Sequence, residues 1–130
     1  MRNRKEIGDL YEDLAIKFLM KHGFSIIYKN YRRSFGEIDI IAEKHSIIHF
    51  IEVKSVSRVT LGKGIRPEDH VTHEKINKIS QTAQYFLDEH ELYDTRCQID
   101  LITILSSNSQ DNKNKNIDHL VDINYFENIY

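Results

Sequence analysis

Two apolar, β-branched runs that each carry acids constrain this chain more than any other feature. From Gly36 to Lys54 the sequence reads Gly-Glu-Ile-Asp-Ile-Ile-Ala-Glu-Lys-His-Ser-Ile-Ile-His-Phe-Ile-Glu-Val-Lys. Ile38, Ile40 and Ile41 surround Asp39, while Ile51 and Val53 bracket Glu52, with Lys54 next. Such density suits strands covered on both faces. An ionised carboxylate placed there is expensive unless a cation or hydrogen bonds compensate it.

The spacing predicts how the two runs meet. With His45 and Ser46 as the turn, Lys44 pairs with Ile47 and Asp39 falls opposite Glu52. A slip of two residues leaves Asp39, Glu52 and Lys54 on one face as diagonal neighbours. Carboxylates that close repel, and one keeps its proton unless a cation intervenes. A hard divalent ion held by carboxylate oxygens, water and a substrate phosphate is the natural compensator. Lys54 would stand beside it, orienting or helping to deprotonate a water. Two acids and a lysine on adjacent strands thus read as metal-assisted phosphodiester hydrolysis.

Asp39, followed after twelve residues by Glu52-Val53-Lys54, resembles the signature of the PD-(D/E)XK nuclease superfamily, without the proline that often precedes the first acid. Gly36-Glu37-Ile38-Asp39 is more specifically similar to the YraN family, small bacterial proteins resembling archaeal Holliday-junction resolvases. The likeness continues through Gly8, Glu12, Ala15, Gly23-Phe24, Asn30-Tyr31-Arg32, Val71-Thr72, Lys75 and Asp100. One position departs: two places after the motif lysine the family usually has arginine, whereas this chain has Val56, and Arg58 follows two later. The resemblance implies an endonuclease using Mg2+ or Mn2+ on DNA, branched or damaged forms included. It implies a restriction-endonuclease-like fold and, since resolvase-like nucleases commonly act in pairs, a homodimer. The alternative is a catalytically silent nucleic-acid-binding module of the same fold; a third reading is a scaffold whose acids and Lys54 form a buried ion network.

A length of 130 residues suits one domain over 1–130. No apolar run approaches the roughly 20 residues of a membrane helix, and Met1-Arg2-Asn3-Arg4-Lys5 does not open a signal peptide, so no membrane role is expected. Cys97 stands alone, which suits a reducing cytoplasm. A net charge of −2 gives no global attraction for nucleic acid. Locally, Lys29, Arg32 and Arg33 precede the motif strand, and Lys54, Arg58, Lys63 and Arg66 follow it without an acid until Glu68. That places a positive rim around an acidic centre.

Residues 5 to about 22 read as a helix, with Ile7, Leu10, Tyr11, Leu14, Phe18 and Leu19 on one stripe and Gly23 as its stop. Gly8 would admit another backbone. Periodicity alone leaves Glu12 an exposed helix glutamate at the edge of the stripe; the resemblance makes it a third acid near the metal. Phe24 to Tyr31 reads as a strand leading to a turn at Ser34–Gly36. Arg32 matches the family run and reads as a phosphate contact; otherwise Arg32 and Arg33 are a solvated loop. After Lys54 a loop extends to about residue 70, with Gly62 and Gly64 flexible, a substrate-facing flap or a plain connector. Thr72 caps a second helix running to about His90, its buried stripe being Ile76, Ile79, Ala83, Phe86 and Leu87. Lys75, Lys78 and Thr82 line one flank, with Gln81 and Tyr85 farther round. Lys75, which matches the family, and Arg58 complete the nucleic-acid-binding residues. His70 and His73 lack any zinc pattern, and a cap at Thr72 leaves His70 outside the helix. His22, His45, His49 and His90 read as surface or turn residues. Cys97–Leu105 is a buried strand in which Asp100 has a structural role, bonding a loop or helix end. Residues 106–116 are polar and expected to be disordered; Ile117–Ile123 reads as a last strand, with an aromatic tail after it. The order gives an α/β sandwich, αβββαβ(β), a mixed sheet with a helix on each face.

Overall fold

The computed structural model describes residues 3–56, 66, 69–105 and 122–130. Among these, the elements run α1 (Arg4–Lys21), β1 (Ser25–Arg33), β2 (Gly36–Lys44), β3 (Ile47–Val56), α2 (His73–Glu89), β4 (Arg96–Leu105) and β5 (Ile123–Phe126). The strands form one sheet in the order β1-β2-β3-β4-β5. β1, β2 and β3 are an antiparallel meander, β4 is parallel to β3 across the α2 crossover, and β5 returns antiparallel to β4. This is the mixed α/β arrangement of a restriction-endonuclease-like core.

Local chemistry accounts for the ends of the elements. Asn3 and Glu6 form a reciprocal capping box at the start of α1, and the Thr72 hydroxyl accepts the Lys75 N–H at the start of α2. His45 and Ser46 both have positive φ, which a two-residue hairpin turn with matching twist requires, and Lys44 pairs with Ile47.

Alternation along the strands splits the core into two layers. Ile40, Ala42, Ile51, Ile102 and Ile104 pack with Leu14, Ala15 and Leu19 of α1. Ile41, Ile48, Phe50 and Ile99 pack with Ile79, Ala83, Phe86 and Leu87 of α2. A helix therefore covers each face, as expected. The sequence stripe of α1 holds only in part. Ile7 is exposed, and among the described residues nothing lies within 4 Å of where a Gly8 side chain would begin, so no described backbone closes on Gly8. The close approach is at Gly36 instead, where a Cβ would overlap the Thr82 hydroxyl and come within 3.4 Å of the Lys78 carbonyl oxygen.

Two further expectations need correction. The last strand is the aromatic segment itself, Ile123–Phe126, rather than a strand ending at Ile123; residues 117–121 lie outside the described residues, as do 57–65 with Arg58, Gly62, Lys63 and Gly64, and the polar stretch 106–116. His49 is buried at 4% exposure, not on the surface. Its Nδ1 lies 2.6 Å from Asp100 Oδ2. The fully buried Asp100 also accepts from the Gln98 amide, the Asn128 N–H and the Tyr125 hydroxyl. Those donors offset its desolvation and tie β3, β4, β5 and the C-terminal residues together. Its structural role stands.

Gly36→Ala should lower stability by about 1–3 kcal/mol. In a double-mutant cycle, Thr82→Ala should recover part of that loss, because the added methyl then has room; urea melts of the four proteins measure the coupling.

Candidate active site

The ladder between β2 and β3 runs from Lys44↔Ile47 to Ile40↔Ile51. One step further the same register sets Asp39 against Glu52. There the Asp39 side chain takes up the pairing: its Oδ2 accepts the Val53 N–H at 2.8 Å. The acid thus sits where the strands part, satisfied on one side by backbone.

Glu12 reaches the same point from α1. Its carboxyl shares a hydrogen bond with Asp39, and Asn30 of β1, with its amide turned to satisfy both groups, donates to it at 2.8 and 3.3 Å. Asn30 has φ 55°, a left-handed conformation that asparagine tolerates better than most residues. Burial first, then the charge of Asp39, pushes the Glu12 carboxyl up to about 7. Two carboxyls that close resist ionising together, so the pair holds on to a proton between them. Asp39 itself is raised above the ordinary aspartate range by burial, against the Val53 N–H.

Glu52, with its side chain only 13% exposed, meets α2. Its Oε1 lies 3.9 Å from Lys75 Nζ, in the first turn of that helix. Burial and then the Asp39 charge push it up to about 8, against the pull of Lys75 and Lys54. Lys54 is exposed two residues beyond Glu52, near enough to favour its ionised form. The structure therefore brings Glu12, Asp39, Glu52, Lys54 and Lys75 together.

Arg32 is set differently. It pairs with Glu37 at 3.3 Å and is largely exposed; Glu37 is close enough to raise both Asp39 and Glu52. Arg33 is held by Glu89 at 3.1 Å. Arg58 lies outside the described residues. His70 sits in the turn before the Thr72 cap and His73 opens the helix, so the two share no helical face. Sequence reasoning gave Asn30 no role at the site. The available signal was an asparagine inside an apolar strand, a residue type that favours positive φ.

Among the described residues, no three His, Cys, Asp or Glu side chains converge as a finished ion cage. The chemistry of the donors still fits a hard divalent ion. All are carboxylate oxygens, crowded enough that two resist ionisation, and magnesium commonly takes only one or two carboxylates and completes its shell with water and phosphate. Asp39 and Glu52 would hold such an ion, with Glu12 joining once deprotonated.

Comparison with known proteins adds a family likeness. A family model described as "Uncharacterised protein family UPF0102" matches residues 11–104, a stretch that includes Glu12, Asp39, Glu52, Lys54 and Lys75. A UPF0102 protein of Dictyoglomus turgidum is 39% identical over 105 residues, 81% of this chain and 86% of its own. One from Clostridium perfringens strain SM101 is 47% identical over 100 residues, 77% and 80% of the two chains. A third, from Fusobacterium nucleatum, is 39% identical over 103 residues, 79% and 84%.

The raised carboxyls make stability depend on pH in a definite direction. Each has a folded-state value above its unfolded one, so the folded chain binds more protons and stability falls as pH rises between them. In EDTA, the melting temperature should drop on the order of 5 °C from about pH 5 to pH 8. Glu52→Gln should flatten that slope; an unchanged slope in differential scanning calorimetry would place the titration elsewhere.

Proposed function

The chain belongs to the uncharacterised protein family UPF0102, the YraN family, and we propose that it is a divalent-metal-dependent endonuclease that hydrolyses DNA phosphodiester bonds, branched and damaged DNA included. The observation that carries this reading is the crowding of Glu12, Asp39 and Glu52, which holds two carboxyls partly protonated near neutral pH. A fold gains nothing in stability from such a cluster, whereas a cation-binding site needs one.

When bound, Mg2+ or Mn2+ supplies positive charge at the phosphoryl oxygens and makes a neighbouring water more acidic. Asp39 and Glu52 would hold the ion. Glu12 would join them, directly or through water. Asn30 keeps the Glu12 carboxyl pointed at Asp39. The Lys54 ammonium, exposed beside Glu52, positions the attacking water and stabilises the charge that develops at phosphorus. Lys75, Arg32 and, from outside the described residues, Arg58 contact the phosphates of the strand. Partner DNA and pairing of two copies belong to this same proposal, as does work in the cytoplasm; none of the helices in the described residues is long and apolar enough to cross a membrane.

The lack of a finished ion cage among the described residues favours a second reading, a module that binds nucleic acid without cutting it. Turnover against binding alone separates the two. On linear, flapped and four-way DNA with Mg2+ or Mn2+, the wild-type protein should cleave at least one form. Asp39→Asn and Lys54→Ala should each lower the rate by roughly 100-fold or more while keeping the melting transition. Equal cleavage by both variants removes the site; binding without cleavage by the wild type establishes the silent module.

A further inference from the structure

An unbroken row of ring contacts runs along the β1 edge of the sheet, and the proposed hydrolysis uses none of it. Phe35, in the β1–β2 turn, meets Tyr85 of α2 with centroids 5.3 Å apart. The Arg33 guanidinium lies 5.6 Å from the centre of the Tyr85 ring and 4.1 Å from that of Tyr31. Tyr31 in turn meets Tyr28 at 5.2 Å. Tyr31 is buried, but Phe35, Tyr85 and Tyr28 are 42%, 43% and 43% exposed. Glu89 fixes the middle of the row, accepting from the Tyr31 hydroxyl at 2.9 Å and from Arg33. Rings and a guanidinium plane therefore lie side by side, with ring surface left to solvent.

A second pattern joins this row to the acids. Lys75, Lys78, Thr82 and Tyr85 recur along α2 in steps of three, four and three, which places them on one side of the helix. Lys75 stands at Glu52, Gly36 closes on Thr82, and Tyr85 touches Phe35. At the helical rise Tyr85 is roughly 15 Å from Lys75. Phe35 is roughly 13 Å along the strand from Asp39. Lys75 and Lys78, the latter 3.8 Å from Glu74, thus lie on the α2 flank between the acids and the exposed rings.

Every base offers a π-face, and aromatic rings interleaved with arginine bind bases by stacking. A duplex hides those faces; an unpaired strand presents them. We propose that Phe35, Tyr85, Arg33 and Tyr28 form a stacking track for unpaired nucleotides, so that the substrate is DNA with a single-stranded arm that reaches the acids past Lys78 and Lys75. The assignment rests on the nuclease reading and narrows its substrate class. Stacking accounts for the sequence-independent contact, and the lysines for the backbone charge.

Binding in EDTA isolates the track from catalysis. The full chain is titrated against a fluorescent oligothymidylate of about 12 nucleotides and a duplex of the same length, read by anisotropy. Wild-type protein should bind the single strand more tightly than the duplex. Phe35→Ser combined with Tyr85→Leu should weaken single-strand binding roughly tenfold or more and leave duplex binding unchanged. A 2-aminopurine base in the strand should lose emission with wild type and keep it with the variant. If that double variant melts early, Tyr28→Ser, at the other end of the row, carries the same comparison. Equal single-strand affinity in wild type and folded variant overturns the track. Binding with no preference for the unpaired strand sinks the track and, if Mg2+ then restores cleavage, spares the nuclease; no binding in EDTA and no cleavage on adding Mg2+ sinks both.

Discussion

A carboxylate in the gap between two strands is the interaction on which the rest of this molecule depends. Asp39 replaces a ladder partner by accepting the Val53 N–H, which lets β2 and β3 separate without stranding a buried donor. Because the strands separate there, Glu12 can come from one helix, while Glu52 meets Lys75 from the other. The hydrogen bond holds Asp39 toward its charged form, and that charge raises its neighbours. Burial raises those carboxyls first, and the locally satisfied Asp39 adds to the rise.

The opposite solution appears at Asp100. It too is an acid inside an apolar strand, yet His49, Gln98, Tyr125 and Asn128 all bond to it. A carboxylate surrounded by donors is a structural joint; carboxylates turned toward one another resist ionising together. The two acids are alike in local sequence and opposite in what they do, and only their neighbours distinguish them.

Much of the fold was legible because it rests on periods and caps. The runs around Asp39 and Glu52, the His45-Ser46 turn and the Thr72 cap are local signals, and the structure follows them. So is the crossover before β4, since a parallel neighbour requires one. Asp39, Glu52 and Lys54 were readable from acids set among isoleucines. What the sequence hid depends on distant partners. His49 looks like any polar residue until Asp100, 51 residues away, is placed beside it. Asn30 has no visible purpose until its backbone turns left-handed and points an amide at Glu12. The aromatic row is equally invisible, since Tyr28, Arg33 and Phe35 meet Tyr85 only when α2 folds over the sheet. Ile7 shows the reverse error, a periodic apolar position at a helix start that stays exposed among the described residues.

The His45-Ser46 turn makes the hairpin a ruler. With two residues in the turn and pairing continuous to Ile40↔Ile51, the distance along the chain from Asp39 to Glu52 cannot change by one. An inserted or deleted residue in either arm would swing every later side chain to the other face of the sheet and separate the acids. Single-residue insertions and deletions compatible with this site are thereby excluded from the two arms between the acids and confined to the segments outside them.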